Sequence, residues 1–430
     1  MQKILFLLFL FIFIFAFSGR SQYIMDMFDT TEGGIKGKFS PDDKFNHVRV
    51  SGYLQTQYQI AQSKGINSYA GGDFSDHSSN RFMIRRGRVR FDYASFTKDD
   101  LPSLHFVFQF NGSEKGVEIR DFWGRIYENK FNVFSLTAGM FARPFGYEVN
   151  LSSSDRESPE RGRMSQILMK SERDLGAMIS FEPQKNNHPF NFLKVDAGIF
   201  NGQGLTGTGD YDSFKDFISR ISIKPLPINK SILISGGLSY FNGGFIQNTK
   251  YVNSIKSSPI PTFITDSSLT NLSEKAPRKY YSADIQMKFK TKTGETVLRA
   301  EYWKGKQTST YLSSETPGEI LDQPYYIRSF DGAFFYLLHK FNDKHQLGFK
   351  LDWYDPNNKV SGLEIGKQFS NLNETDVKYT TYGAGYIYYF NKNAKIILWY
   401  DAVKNENTLL TGYSKNIKDN VFTCRLQFKF

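Results

Sequence analysis

Phe422-Thr-Cys-Arg-Leu-Gln-Phe-Lys-Phe430 closes the chain. Phe422, Cys424, Leu426, Phe428 and Phe430 alternate there with Thr423, Arg425, Gln427 and Lys429. Successive side chains of a β-strand point to opposite faces, so a period of two gives this strand one apolar and one polar face. The same alternation recurs upstream. Between His47 and Gln62, Val48, Val50, Gly52, Leu54, Thr56, Tyr58 and Ile60 stand against Arg49, Ser51, Tyr53, Gln55, Gln57 and Gln59. A strand of about 9 to 11 residues suffices to cross a bilayer at a tilt, and this one is long enough. From Phe82 to Phe96, Gly87, Val89, Phe91 and Tyr93 face away from Arg86, Arg88, Arg90 and Asp92. The lone cysteine, Cys424, forbids an internal disulfide and reads as a small buried hydrophobe on the apolar face.

The other end of the chain sets the compartment. Residues 1–21 carry Lys3, an apolar run from Ile4 to Phe17, then Ser18, Gly19 and Ser21. That order of basic, apolar and small residues is a secretory signal peptide, cleaved after Ser18 or Ser21. Residues 22–45 are polar and Gly-containing and read as a short periplasmic N-terminal segment. No later run reaches the roughly 18 apolar residues of a membrane helix, and mean hydropathy is −0.44. Aromatics nevertheless make up 16% of the chain, with 41 Phe and 25 Tyr, a load that suits a barrel set in lipid between aromatic girdles. The final strand and its terminal Phe430 resemble those of outer-membrane barrels, where they are the signal read by the barrel-assembly machinery. Together these features predict an all-β protein: a transmembrane antiparallel β-barrel occupying residues 46–430, in the outer membrane of a Gram-negative bacterium, surrounded by lipid and lipopolysaccharide.

Taken in order, the apolar stripes number about sixteen strands. Short polar turns such as Lys98-Asp-Asp-Leu-Pro102, Glu128-Asn-Lys130, Pro225-Leu-Pro-Ile-Asn229 and Asn391-Lys-Asn393 alternate with long loops. Short periplasmic turns and long external loops are the outer-membrane pattern, and a barrel of sixteen strands leaves an aqueous channel. A sandwich or propeller would not segregate connection lengths in this way. The strand from Val117 to Tyr127 has an ambiguous register that a bulge would explain. One connection, about 142–170, is too long and too rich in Pro, Gly, Ser and mixed charge for a casual loop, and reads as a constriction loop narrowing the pore.

Candidate functional residues follow from the lumenal parity. Arg86, Arg88 and Arg90 are two apart and point to one side, a row of guanidinium forks suited to an oxyanion. The alternative is that they pair with inward acids such as Asp92, Asp196 or Glu301. The loop adds Arg143, Arg156, Arg161 and Arg163 but also Glu148, Asp155, Glu157 and Glu160, so it is near neutral. General porins set loop acids against a basic wall, and this loop with the arginine strand could build the same transverse field. Net charge is +11, about +9 once Lys3 and Arg20 leave, which enriches anions near the protein without naming a ligand. The six histidines show no paired spacing for metal or acid–base work, so an enzyme, in particular a barrel hydrolase, is disfavoured and no cofactor is expected.

Several motifs together carry a family resemblance. Gly52-Tyr-Leu-Gln55, Phe82-Met-Ile-Arg-Arg-Gly-Arg-Val-Arg90, Gly139-Met-Phe-Ala-Arg-Pro-Phe-Gly-Tyr-Glu148, Glu172-Arg-Asp-Leu-Gly-Ala177 and Trp353-Tyr-Asp-Pro-Asn357 resemble the phosphate-selective porin O and P family in its Bacteroidetes form. The resemblance implies a sixteen-stranded, usually trimeric porin in which an arginine ladder and a basic constriction guide phosphate or polyphosphate. Arg86, Arg88 and Arg90 match the arginine-rich strand and Arg143 the constriction-loop motif. With Arg161 and Arg163 these form the expected lumenal anion path. The family's lysine cluster has no counterpart here, and acids balance the loop beyond Arg143. A general non-selective porin and a loop-mediated receptor or adhesin remain alternatives, and neither metal nor nucleic acid is expected as a partner.

Overall fold

A computed structural model describes residues 48–206, 209–257 and 259–430. The signal peptide, the N-terminal segment and the residues just before Val48 lie outside the described residues. Sixteen strands form a closed antiparallel barrel: β1 (Val48–Ala61), β2 (Asn80–Phe96), β3 (Pro102–Ser113), β4 (Gly116–Tyr127), β5 (Phe134–Ala142), β6 (Arg173–Phe181), β7 (Leu193–Phe200), β8 (Asp216–Asn229), β9 (Ile232–Ile246), then β12 (Lys275–Thr291), β13 (Gly294–Ser309), β14 (Tyr325–Lys340), β15 (His345–Asp355), β16 (Tyr379–Asn391), β17 (Ala394–Asn405) and β18 (Val421–Lys429). Two short strands, β10 (Val252–Lys256) and β11 (Thr262–Asp266), pair as a hairpin within the β9–β12 connection, with β10 running parallel to the start of β14. The only α-helix among the described residues is α1 (Arg163–Leu168).

Closure is made by the stretch that ends the chain. β18 pairs with β1 from Tyr53↔Lys429 to Ala61↔Val421, which removes the open edge that either strand would otherwise present. The backbone of Phe430 extends the seam: its N–H donates to the Gly52 carbonyl at 2.9 Å and its carbonyl accepts from the Gly52 N–H at 3.1 Å. A Cβ at Gly52 would lie 2.6 Å from the Phe430 ring, so the glycine makes room for the terminal aromatic.

The alternation sorts side chains between two environments. Outward positions such as Val50, Phe91, Ile179, Leu238, Phe349 and Phe428 are exposed on the barrel exterior, while the intervening Gln55, Gln59, Arg88, Gln286, Asp352 and Thr423 are buried inside. Apolar side chains turned outward on every strand make a surface for lipid. Exposed Phe131, Phe190, Phe341, Phe390 and Phe430 ring the short-turn end, and Phe217, Tyr281, Tyr302, Tyr382 and Tyr400 lie toward the other. These are two aromatic girdles.

Local departures from the expected pattern have physical causes. Pro225-Leu-Pro-Ile-Asn229 is not the β8–β9 turn, because β8 continues to Asn229 and absorbs its two prolines at register shifts, where no ladder donor is needed. The β3–β4 connection lies on the long-loop side yet consists of Glu114 and Lys115 alone. Two bulges change which residues point inward. Arg85 is the extra residue between the pairs Gln55↔Arg86 and Thr56↔Ile84, and Arg120 the extra residue between Gln109↔Asp121 and Phe110↔Ile119.

Candidate functional site

The connection of residues 143–172 turns back into the barrel and touches walls on all sides. At its start, the backbone N–H groups of Tyr147 and Glu148 each donate to one oxygen of Glu301 on β13, both at 2.9 Å, and Gly146 N donates to Ser239 Oγ on β9. At mid-loop, the Ser153 carbonyl accepts from Gln55 Nε2 of β1, and the Ser154 carbonyl accepts from Gln427 of β18 and from Lys395 of β17. Phe145, Val149, Met164, Ile167, Leu168 and Met169 pack on Trp123, Phe200, Phe241, Tyr280, Trp303 and Phe330 of the walls. Phe145 meets Trp303 edge-on at 4.7 Å. The loop is therefore held by a hydrophobic core of its own inside the lumen. Burial of one such large side chain contributes about 1.5–3 kcal/mol.

One side of the barrel interior beside the loop is lined by arginine. Arg86, Arg88 and Arg90 of β2 all project inward and are each less than a tenth exposed. Arg85 and Arg120 join them through the bulges, Arg173 from β6, Arg425 from β18 and Arg161 from the loop. Glu160 lies at the centre of one cluster: Arg86 Nη2 and Arg425 Nη2 each stand 2.7 Å from it, and Arg85 Nε 2.8 Å. Glu172 is the centre of a second, taking Arg173 at 3.1 Å, Arg161 at 3.2 Å and a close contact from Arg120. Asp121 takes the Nε of Arg173 at 3.1 Å. Six guanidiniums, those of Arg85, Arg86, Arg120, Arg161, Arg173 and Arg425, thus pair with three carboxylates, and Arg88 beside them pairs with none, an excess of four positive charges.

The ladder itself is unequal. Arg86 is engaged by Glu160. Arg90 is held in a two-pronged pair with Asp92, both contacts 2.8 Å, and His105 completes that network at 2.9 Å from the same carboxylate. Arg88 donates to Asn111 Oδ1 at 3.2 Å, lies over the Tyr53 ring at 5.5 Å, and forms no ion pair among the described residues. The remaining expected residues are spread along the loop. Arg143 reaches the Ser171 carbonyl and stands 3.9 Å from Asp174. Arg161 donates to the carbonyls of Glu148 and Val149 as well as to Glu172. Arg163 is sandwiched between Tyr379 at 3.5 Å and Tyr69 at 4.5 Å and stands 3.9 Å from Asp419.

Across the barrel the balance reverses. Arg220 pairs with Asp284 at 2.7 Å, and Lys350 lies 3.2 Å from Asp352 and 3.3 Å from Asp401. With Glu301 and Glu148 this arc carries five carboxylates against three cations, Lys395 of β17 being the third, while Arg299 and Glu157 neutralise each other at 2.6 Å. A cleft bordered by Glu160, Arg161, Arg163, Lys350, Asp352 and Asp401 joins the two arcs. Charges of opposite sign on facing walls of low dielectric set a field across the barrel interior rather than along its axis.

Alternation alone misses Arg85 and Arg120, since strict parity sends both toward lipid. The signal was present nonetheless: an arginine on the lipid face at the midplane costs about 2–4 kcal/mol, so its occurrence there marks a bulge.

Comparison with solved structures places this architecture. The fold matches an anion-selective porin from Comamonas acidovorans with a TM-score of 0.52 at 11% identity, covering 89% of this chain and 99% of that one. It matches OmpF of Salmonella typhi, solved with daunomycin, with a TM-score of 0.52 at 12% identity over 89% of this chain and 97% of that one. A loop-deletion mutant of OmpT, an outer-membrane protein of Vibrio cholerae, matches with a TM-score of 0.50 at 12% identity, over 89% and 99%. No protein-family model and no curated protein matches the sequence. At these identities the likeness is one of fold, and the chain has the closed sixteen-stranded antiparallel barrel of the porins.

Proposed function

We propose that the protein is an outer-membrane porin that passes small hydrophilic solutes by diffusion and prefers anions. The observation that carries this reading is the excess of guanidiniums over carboxylates on the wall facing the constriction loop. Guanidinium charge persists at any working pH, so the preference does not depend on titration. The solved neighbours include one porin described as anion-selective, which is in keeping with the proposal.

Phosphate or polyphosphate, implied by the resemblance of the arginine strand, is a narrower reading. A dedicated oxyanion ladder needs free forks, and Arg86 and Arg90 already serve Glu160 and Asp92. A general, moderately anion-selective pore with a transverse field fits these pairings better. Assembly as a homotrimer in lipid and lipopolysaccharide, with Phe430 presented to the assembly machinery, completes the proposal.

The test replaces Arg86, Arg88 and Arg90 together by Ala. The anion-to-cation permeability ratio should fall, while Lys429→Ala, near the mouth beside Asp155, should leave it nearly unchanged. Block of chloride current by millimolar phosphate in the wild type, lost in the triple variant, would establish the narrower reading. An unchanged ratio in the triple variant would refute the arginine wall.

A further inference from the structure

On the outer wall, three lysines stand together where the apolar face gives way to the external loops. From mid-strand toward the loops, the outward column of β12 reads Ile285, Ala283, Tyr281, Lys279, and that of β13 reads Ala300, Tyr302, Lys304, Lys306. Lys279, Lys304 and Lys306 are all exposed. The ladder sets Lys279 directly opposite Lys306, and Lys304 opposite Tyr281, which in turn lies opposite Tyr240 of β9. Opposed residues of an antiparallel pair have Cβ atoms about 4.5–5.5 Å apart and diagonal ones about 7–8 Å, so the three ammoniums share one patch.

That charge is not balanced by the protein. None of the three lysines forms an ion pair among the described residues. Asp331 of β14 lies opposite Lys304, yet it accepts from Tyr302 Oη at 3.2 Å. Lys279 Nζ stands 5.8 Å from the Tyr240 ring and 5.9 Å from the Tyr281 ring, which form an aromatic shelf beside it. Like charges directly opposite one another destabilise a strand pair, and an anion between Lys279 and Lys306 removes that penalty.

Depth selects the kind of anion. Lys304 and Lys306 lie two and four residues beyond Tyr302 of the girdle, about 7 and about 13 Å along the strand. A strand tilt of about 40° leaves about 5 and about 10 Å of height, within the polar headgroup layer. Tyrosines of a girdle mark the level where acyl chains end, and lysine carries its charge on a long apolar stem to the phosphates above. Lys404 of β17 also stands outward, over the Tyr382 ring at 5.5 Å, but its ladder partner is Thr380 and no second lysine opposes it.

We propose that Lys279, Lys304 and Lys306 bind the phosphates of a lipopolysaccharide headgroup, whose acyl chains lie along Tyr240, Tyr281 and Tyr302 below. The inference rests on the outer-membrane location and not on the transport reading, since the three side chains point away from the lumen.

The test mixes the full barrel, folded in lipid-free detergent, with diphosphorylated lipid A and reads the bound lipid by native mass spectrometry. The variant carrying Lys279→Gln, Lys304→Gln and Lys306→Gln should bind about 10- to 100-fold more weakly than the wild type. Lys404→Gln should bind as the wild type does. Lipid A stripped of its phosphates should bind the wild type no better than intact lipid A binds the triple variant. Heat-modifiable mobility and single-channel conductance of the triple variant should match the wild type's, which separates loss of the lipid site from loss of the barrel or the pore. In the wild type, bound lipid A should also slow acetylation of the three lysines, a readout that needs no variant. Equal affinity in the triple variant, equal binding of the dephosphorylated lipid, or equally tight binding of phosphatidylglycerol overturns the proposal. So do cross-links from these lysines to a second copy of the barrel, which would make the patch a subunit contact.

Discussion

Replacing Glu160 by Gln should make the pore more anion-selective, the reverse of what removing the arginines does. The carboxylate is the shared partner of Arg85, Arg86 and Arg425, and glutamine keeps its size and one accepting oxygen. An anion resting on the far side of Arg86 would lie about 6 Å from Glu160, one 2.7 Å ion pair plus a second contact of similar length. Their repulsion at that distance is about 0.7 kcal/mol in bulk water and about 2.8 kcal/mol at an effective dielectric of 20. Screening at 0.1 M salt reduces these to roughly 0.4 and 1.5 kcal/mol. Losing that repulsion should raise anion occupancy about 2- to 13-fold, and the permeability ratio by at least the lower figure. The assay is the reversal potential of Glu160→Gln in a planar bilayer across a tenfold KCl gradient, on protein shown to be folded by its heat-modifiable mobility. A reversal potential equal to the wild type's, or shifted toward potassium, would refute the reasoning.

Other expectations rest on the seam and the loop. Deleting Phe430 removes two backbone hydrogen bonds to Gly52, and Phe428→Asp places a charge on the lipid face, so both should reduce the folded species recovered from outer membranes; normal yields of both would contradict the role given to this strand. Gly52→Val should do the same from the other side, since its Cβ would lie 2.6 Å from the Phe430 ring and 2.4 Å from the Arg88 carbonyl. Removing residues 152–161 while keeping α1 and its apolar anchors should raise single-channel conductance with the barrel intact, and an unchanged conductance would show that the loop does not limit the passage.

Much of this was readable because barrel strands alternate between two solvents. The outward Val89, Phe91 and Tyr93 and the inward Arg86, Arg88 and Arg90 follow from parity alone. Parity fails wherever one residue is inserted, because a single extra residue sends every later side chain to the other face. Arg85 and Arg120 are of that kind. Pro225 and Pro227 carry a turn signal that strand pairing overrides at β8, and the β10–β11 hairpin lies inside one of the long connections, outside the barrel ladder that the alternation marks. The pairings that decide the site were beyond local reading altogether. Glu160 finds Arg86 across 74 residues and Arg425 across 265, distances over which spacing carries no information and only barrel closure brings partners together.

The most direct test of the account is the current through the wild-type protein in a planar bilayer under a KCl gradient. Discrete channel steps with a reversal potential displaced toward the chloride equilibrium potential are expected. Absence of steps, or a reversal potential displaced toward potassium, would contradict the arginine wall as the determinant of passage.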